Sequence, residues 1–236
     1  MADNKIIILY DNMRNPNNSK LNTGWGFSAY LEWNGKHILF DTGWDGFRIL
    51  NNLVHLKIEN KKFDAIFISH HHWDHSGGLP VFFRFFEIDS IYLPKGYSEH
   101  QIYELQKRCK KVQTIEKFTA ILDLGEGIYS TGTFKSKDGI QEHALIVSEK
   151  QQDGNIYNRL LVGCAHPGIE DFCNSMVHIG GIQEIIGGLH GFKNLEFIEQ
   201  HGIKKLQIGH CTQHKSLFSS SKKVEYDELF VGKKVA

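Results

Sequence analysis

The feature that most constrains this chain is a cluster of histidines that directly follows an apolar segment. In the stretch "IFISHHHWDHSGG", residues 66–78, four histidines and one aspartate fall within six positions. The segment "FDAIFIS" has the composition of a buried strand, and the Gly-Gly pair after the cluster permits a sharp turn. Imidazole nitrogens and carboxylate oxygens are ligands for Zn²⁺ and Fe²⁺. The cluster therefore predicts a metal site at the end of a strand.

The spacing divides the cluster into two sets of side chains. If the chain leaves the strand extended, alternate side chains project to one side, and a turn after the aspartate brings the last histidine back to them. The side chains predicted to face the metal are His70, His72, Asp74 and His75. His71 and Trp73 are predicted to face away. Three imidazoles and a carboxylate are too many ligands for one open catalytic ion, so we predict two ions. The alternative, hydrogen-bonded histidines without metal, fits this regular spacing less well.

Further ligands are predicted in the second half of the chain, where three apolar segments end in glycine and histidine. These segments are "RLLVGCAHPG", "IIGGLHG" and "LQIGHCT". We predict that His166 and His210 bind metal. His190 is predicted to face the same pocket, although a histidine after Gly-Gly also suits the capping of a turn. Cys164 is interpreted as a small buried residue rather than a ligand.

Local patterns predict interleaved strands and helices, and thus one α/β or α+β domain over residues 1–236. The Asn-Gly pair between "FSAYLEW" and "HILFDTG" predicts a β-hairpin. Residues 45–58 are predicted to be helical, and their apolar face is Phe47, Leu50, Leu53 and Val54. Residues 98–112 are predicted to form a helix with Ser98 as its N-cap.

Charge and composition restrict the partners and the compartment. The formal net charge is zero, which disfavours nucleic acid as a partner because phosphate binding normally requires a basic surface. No apolar run reaches the roughly 18 residues that span a membrane, so no membrane association is predicted. The start of the chain lacks the features of a signal peptide, and the four cysteines are widely spaced, which is typical of reduced thiols. A cytoplasmic location is therefore predicted.

Two motifs in the first half resemble a known family. "SHHHWDHSGG" resembles the H-x-H-x-D-H signature of the metallo-β-lactamase superfamily, and "ILFDTG" resembles the segment whose aspartate supports the metal site there. The resemblance implies an αββα sandwich, in which two mixed sheets pack face to face with helices outside. It also implies that His70 and His72 bind one ion and that Asp74 and His75 bind the other. Asp41 would then support the ligands from behind.

The second half departs from the commonest pattern of that superfamily. Many superfamily hydrolases have Gly-Asp at the end of this strand, and the aspartate bridges the metals, whereas this chain has Gly163-Cys164. The segments "GCAHPG", "GGLH" and "GHCT" resemble a narrower branch, the proteins similar to 7,8-dihydropterin-6-methyl-4-(β-D-ribofuranosyl)aminobenzene-5'-phosphate synthase. His210 resembles the last metal histidine of the superfamily. His143 lies about where some members carry another metal histidine, and it is kept as a weaker candidate.

These features predict a metal-dependent hydrolase or transferase that acts on a small phosphorylated or pterin-like substrate. The predicted cofactors are two divalent metal ions, Zn²⁺ foremost, with Fe, Mn and Ni as alternatives. Asp74 and His190 are the predicted catalytic residues. The alternatives are a di-iron redox protein, in whose relatives a glutamate usually replaces His72, and a metal-binding protein without catalysis. Trp25 and Trp44 are predicted to pack in the core rather than to wall a pocket.

Overall fold

Fifteen strands and seven α-helices lie within residues 4–236, the part of the chain that the computed structural model describes. The strands are β1 (Lys5–Tyr10), β2 (Ser28–Trp33), β3 (Lys36–Phe40), β4 (Lys62–Phe67), β5 (Glu87–Pro94), β6 (Lys111–Ile115), β7 (Thr119–Ala120), β8 (Ile128–Ser130), β9 (Phe134–Lys135), β10 (Gln141–Glu142), β11 (Leu145–Lys150), β12 (Ile156–Val162), β13 (Glu184–Gly187), β14 (Lys205–Ile208) and β15 (Glu225–Glu228). The helices are α1 (Gly46–His55), α2 (Trp73–Ser76), α3 (Leu79–Phe85), α4 (Glu99–Gln106), α5 (Ile169–Asn174), α6 (Leu195–Gln200) and α7 (Lys215–Ser219).

The strands form two mixed sheets and a separate β9–β10 pair. The six-stranded sheet has the order β1-β2-β3-β4-β5-β6, and β3 to β6 run parallel. The seven-stranded sheet has the order β15-β14-β13-β12-β11-β8-β7, and β12 to β15 run parallel. Parallel neighbours end at the same edge of a sheet, so each sheet presents several strand ends side by side.

Three apolar layers hold the sheets and helices together. The central layer contains side chains from both sheets, such as Phe40 and Phe67 from the first and Leu161 and Ile186 from the second. The outer face of the first sheet packs against α1 and α3, and the outer face of the second packs against α5, α6 and α7. Alternate residues of one strand face different layers because strand side chains alternate. This arrangement confirms the predicted αββα sandwich.

The predicted hairpin is confirmed, since β2 and β3 are antiparallel partners joined at Asn34 and Gly35. Both residues have positive φ, 52° and 73°, which a two-residue turn of the mirror-image type requires. This hairpin places the end of β3 beside the end of β4. The next residue after β3 is Asp41, which also has a positive φ of 52°.

The two predicted helices form, but their extents and faces differ from the prediction. In α1, the buried side chains are Ile49, Asn52 and Leu53, whereas Phe47 and Val54 are exposed. The predicted apolar face is therefore wrong by part of a turn. The face of α1 that packs against the sheet includes the side-chain amide of Asn52 as well as the apolar side chains of Ile49 and Leu53. Within the described residues, no helix is both long and apolar enough to cross a membrane.

The helix predicted over residues 98–112 begins as expected and ends early. Ser98 caps α4 by accepting from the backbone of Gln101, whose side chain accepts from the Ser98 backbone in return. The helix ends at Gln106, and the chain re-enters the first sheet at Lys111 as β6. Pairing with β5 supplies the hydrogen bonds that overrule the helical pattern there.

Asn52 fixes the Asn-rich loop between β1 and β2 to the body of the fold. Its buried side chain donates to the carbonyl oxygens of Leu9 and Asn22, both at 2.8 Å, and accepts from the Asn22 amide at 2.7 Å. Buried peptide groups need such partners because water cannot reach them. The loop that these bonds hold continues directly to Trp25.

Replacing Asn52 with alanine leaves buried peptide groups of Leu9 and Asn22 unpaired. We expect the free energy of unfolding to fall by about 2–4 kcal/mol in urea titrations, since each unsatisfied group costs roughly 1–3 kcal/mol. Asn155→Ala is the matched control, because Asn155 lies in an exposed turn. A loss for Asn52→Ala no greater than that of the control would contradict this role.

Candidate metal centre

The strand ends of both sheets meet at one edge of the sandwich and bring together side chains from distant parts of the chain. Gly163 permits this contact, because a Cβ at that position would collide with the Ser69 hydroxyl and lie 3.1 Å from His70 Nδ1. The residues that follow β3, β4, β12, β13 and β14 at this edge are, respectively, Asp41; His70 to His75; Cys164 and His166; His190; and His210 with Cys211.

Within the histidine cluster, the predicted extended geometry ends sooner than expected. His72 is extended and is the N-cap residue of α2, so a helical turn begins at Trp73, before Asp74 rather than after it. Asp74 and His75 therefore reach the site from a helical turn. His71 and Trp73 are exposed, as predicted.

The first group of potential ligands consists of His70, His72 and His166, whose ligand atoms lie within 4.8 Å of one another. His70 Nε2 and His72 Nδ1 face each other at 3.0 Å. The Nε2 atom of His166 is buried and has no hydrogen-bond partner within residues 4–236. A divalent cation bound by these three imidazoles would satisfy the buried nitrogen of His166.

The second group consists of Asp74, His75 and His210. His210 Nε2 lies 3.2 Å from His75 Nε2 and 3.4 Å from Asp74 Oδ2, and the other pair is 3.8 Å apart. Ligand atoms around one tetrahedral Zn²⁺ lie about 3.3 Å apart, because each bond is about 2.0 Å long. Both groups therefore have the size and chemistry of a single-ion site.

Asp41 holds both groups from behind. Its carboxylate accepts from the Ser69 amide and the Ser69 hydroxyl, both at 2.7 Å, and from His75 Nδ1 at 2.7 Å. The Ser69 oxygen in turn lies 3.0 Å from His70 Nδ1. With Nδ1 of each imidazole engaged, Nε2 is directed into the site.

His210 is held by two residues that the sequence reasoning missed. Its amide donates to Asp11 Oδ2 at 2.9 Å, and its Nδ1 lies 3.2 Å from Asn12 Oδ1. The Asn12 amide group also donates to the His210 carbonyl oxygen at 3.1 Å. Both residues follow β1, whose end lies at the same edge, so their place after the first strand was the available signal.

Glu142 is a third missed residue, and it shapes the loop after β12. Its buried carboxylate accepts from the amides of Cys164 and Ala165, both at 2.9 Å, and of His166 at 2.8 Å. Burial raises its pKa to about 7, although these three hydrogen bonds oppose the rise. Ala165 has a φ of 56°, so the loop turns sharply and directs His166 towards the first group.

The pKa values of three ligand histidines and of Asp74 suit a cation. Burial lowers the pKa of His75 to about 3 and of His166 to about 4, and it lowers the pKa of His70 well below the usual value. These imidazoles are therefore neutral at neutral pH and have lone pairs to donate. Burial acts to raise the pKa of Asp74, but a hydrogen bond with His210 and nearby histidine charges outweigh it and lower the pKa to about 2. For His210, burial acts to lower the pKa, but the hydrogen bond with Asp74 and the charge of Cys211 outweigh it and raise the pKa. The residues present thus fit divalent metal ions.

Two other histidines lie outside the groups. His143 is buried, but its Nδ1 lies 3.0 Å from Ser130 Oγ and its Nε2 lies 2.9 Å from the Ile68 carbonyl oxygen. It stacks on Phe67 and has no nitrogen left for a metal, so the weaker candidate is a structural residue. His190 is exposed, with its ring 4.8 Å from that of His166.

Three tryptophans in the segments before and within the histidine cluster have exposed side chains: Trp25, Trp44 and Trp73. They are 52%, 44% and 58% exposed, so the predicted core packing of Trp25 and Trp44 is wrong. Trp25 lies edge-on against His210, with ring centroids 5.3 Å apart, and Trp44 and Trp73 form a T-shaped pair at 5.8 Å. The exposed indole of Trp25 is thus available beside the second group.

Comparisons with known proteins show which proteins the chain is similar to. A model of the metallo-beta-lactamase superfamily matches residues 26–133. The chain is 27% identical to a 7,8-dihydropterin-6-methyl-4-(beta-D-ribofuranosyl)-aminobenzene-5'-phosphate synthase of Methanocaldococcus jannaschii, over 89% of this chain and 88% of that protein. A solved metal-dependent hydrolase of the β-lactamase superfamily aligns with a TM-score of 0.75 at 18% identity, covering 99% of both chains. A diphosphatase from the PhnP family aligns with a TM-score of 0.63 at 13% identity, covering 99% of this chain and 98% of that one.

The chain therefore has the metallo-β-lactamase fold, and its predicted resemblance to that superfamily is confirmed. Its sequence also resembles that of a protein of the synthase branch, as predicted. The match at residues 26–133 covers Asp41 and the histidine cluster. His166, His190 and His210 lie beyond it.

Replacing Asp41 with asparagine keeps the shape and tolerates the positive φ, but it removes the charge that orients His75. We expect the affinity for Zn²⁺, measured by competition with a chromogenic chelator, to fall about 10–100-fold, as for other groups that support metal ligands. Asp45→Asn, at the N-cap of α1, is the control. Equal affinity in the two variants would refute the supporting role of Asp41.

Proposed function

We propose that this protein is a metal-dependent hydrolase or transferase that cleaves a phosphate or diphosphate ester of a small, planar, pterin-like molecule. The observation that carries the proposal is the pair of adjacent three-ligand groups, with the half-exposed ring of Trp25 5.3 Å from that of His210. In this proposal, one ion is held by His70, His72 and His166, and the other by Asp74, His75 and His210. The similarity of the chain to a dihydropterin-related phosphate synthase and to a diphosphatase supports the same substrate class.

Divalent ions in these groups would supply Lewis acidity that polarises the oxygens of a phosphate or diphosphate group. The chain's own residues do the rest. The exposed indole of Trp25, beside His210, holds a planar ring by stacking and excludes water from one side of it. Asp74 contributes a negative charge at the centre and fixes His210 through their 3.4 Å contact.

His190 is the residue that we assign to proton transfer. It is exposed beside His166. Its imidazole has access to a substrate held between Trp25 and the ligand groups. In ester cleavage, the bond to the phosphate or diphosphate oxygen breaks, and that oxygen leaves with the electron pair. Water or a second nucleophile forms the new bond and releases a proton. An exposed imidazole is suited to moving one of these protons.

The four cysteines are free thiols, which favours a reducing compartment and supports the cytoplasmic assignment in this proposal.

The substrate class is tested with two phosphorylated compounds of equal charge, a dihydropterin-methyl diphosphate and an alkyl diphosphate. Purified protein loaded with Zn²⁺, Fe²⁺ or Mn²⁺ is assayed for diphosphate release, with and without an aromatic nucleophile. We expect turnover of the ring-bearing compound. Trp25→Ala should raise KM for it about 10-fold, because stacking on an indole contributes roughly 1–3 kcal/mol per ring.

The alkyl compound and Tyr103→Ala are the controls for this experiment. Tyr103 is an exposed aromatic residue on α4, where Lys107 lies over its ring. Tyr103→Ala should leave KM unchanged for both compounds. Metal binding without any turnover would contradict the enzyme proposal and favour a metal-binding protein. Bound iron with oxygen consumption and no ester cleavage would favour the di-iron alternative.

Replacing His190 with glutamine separates proton transfer from metal binding. We expect kcat to fall roughly 100-fold or more, as for the loss of a general acid or base. The metal content, measured by elemental analysis, should not change. His100→Gln, in the exposed first turn of α4, is the control. Loss of a metal ion in the His190 variant would make it a ligand and would overturn this assignment.

A further inference from the structure

The sulfur of Cys164 lies at the junction of the two ligand groups. Its Sγ atom is 3.3 Å from His75 Nε2, which belongs to the second group. It also lies within 4.8 Å of a ligand atom of His70, which belongs to the first group, and of His210 and Cys211 on the other side. The side chain is 3% exposed. Cys164 thus contacts a histidine of the second group and lies close to a histidine of the first.

The backbone holds Cys164 in this place. Its amide donates to the buried carboxylate of Glu142, and Gly163 before it allows the close approach to Ser69 and His70. Gly188 leaves the space that the neighbouring Cys211 sulfur occupies, because a Cβ there would lie 2.6 Å from that sulfur. The loop is therefore built to bring the sulfur to the ligand atoms.

The chemistry of this position differs from that of the common superfamily pattern. The Gly-Asp pair that supplies a bridging carboxylate in many members is replaced here by Gly163-Cys164. A thiolate carries the same single negative charge as a carboxylate, but it is a softer ligand. Softer ligands favour Zn²⁺, Fe²⁺ and Co²⁺ over Mn²⁺ and Mg²⁺. The sequence interpretation of Cys164 as a small buried residue leaves its contact with His75 and its closeness to His70 unexplained.

We propose that Cys164 is a metal ligand, whose thiolate is shared between the two groups where other members of the superfamily use a carboxylate. The inference rests on the proposed metal centre and extends it to the choice of metal. Binding releases the thiol proton to solvent, so that the sulfur coordinates as an anion. The site is consequently selective for thiophilic divalent ions.

Cobalt substitution tests this inference without an activity assay. Co²⁺ bound to thiolate has an intense sulfur-to-metal charge-transfer band in the near ultraviolet, which nitrogen and oxygen ligands do not produce. We expect the wild-type protein to show the band. Cys164→Ser should abolish it and weaken Co²⁺ binding by more than the roughly 10–100-fold that supporting residues cost. Cys164→Asp should abolish the band while it retains Co²⁺.

Two further cysteine variants are the controls. Cys173 lies on α5 and faces the outer apolar layer of the second sheet, so Cys173→Ala should keep the band. Cys211→Ser should also keep it. Urea unfolding of each variant shows that it is folded. A band that persists in Cys164→Ser, or one that Cys211→Ser alone abolishes, overturns the assignment. Bound Co²⁺ without a band in the wild type overturns it while the metal centre stands. A protein that binds no Co²⁺ contradicts the metal centre itself.

Discussion

The buried carboxylate of Asp41 is the interaction on which the rest of the site depends. It joins the end of β3 to the end of β4 through Ser69, and to α2 through His75. Because the Ser69 hydroxyl also meets His70, one charge orients an imidazole in each ligand group. Burial raises the pKa of Asp41, and the bonds from Ser69 oppose that rise. Within residues 4–236, the hydrogen-bond partners of the buried Asp41 carboxylate are therefore Ser69 and His75, the same residues that it holds in place.

The parts of the site that sequence predicts best are those encoded by local spacing. His70, His72, Asp74 and His75 fall within six residues, so their proximity needs no knowledge of the fold. Their exact geometry does. The helical turn at Trp73 follows from a tertiary contact, since the carbonyl oxygen of His75 accepts from the Thr42 amide at 2.7 Å. Spacing alone leaves the extended and helical alternatives equally open.

Two of the supporting residues were missed because they act through the backbone rather than through a local pattern of side chains. Asp11 and Glu142 act on backbone amides, which every residue has, so the sequence holds no pattern that marks their targets. Asp11 meets the amide of His210, 199 positions later in the chain. The tryptophans show a different limit. Composition favours burying Trp25, but its ring lies half-exposed against that of His210, a partner from the other half of the chain.

Each ligand group draws two side chains from the first sheet and one from the second. His70 and His72 are completed by His166, and Asp74 and His75 by His210. A bound ion would therefore link the two sheets of the sandwich, joining halves of the chain that otherwise meet through the central apolar layer and hydrogen bonds such as those of Asp11 and His143. Such a link closes a long loop, as a disulfide does, without needing an oxidising compartment. An ion bound by residues of both sheets would also hold the sheets together, so in this fold metal binding and the packing of the two sheets would depend on each other.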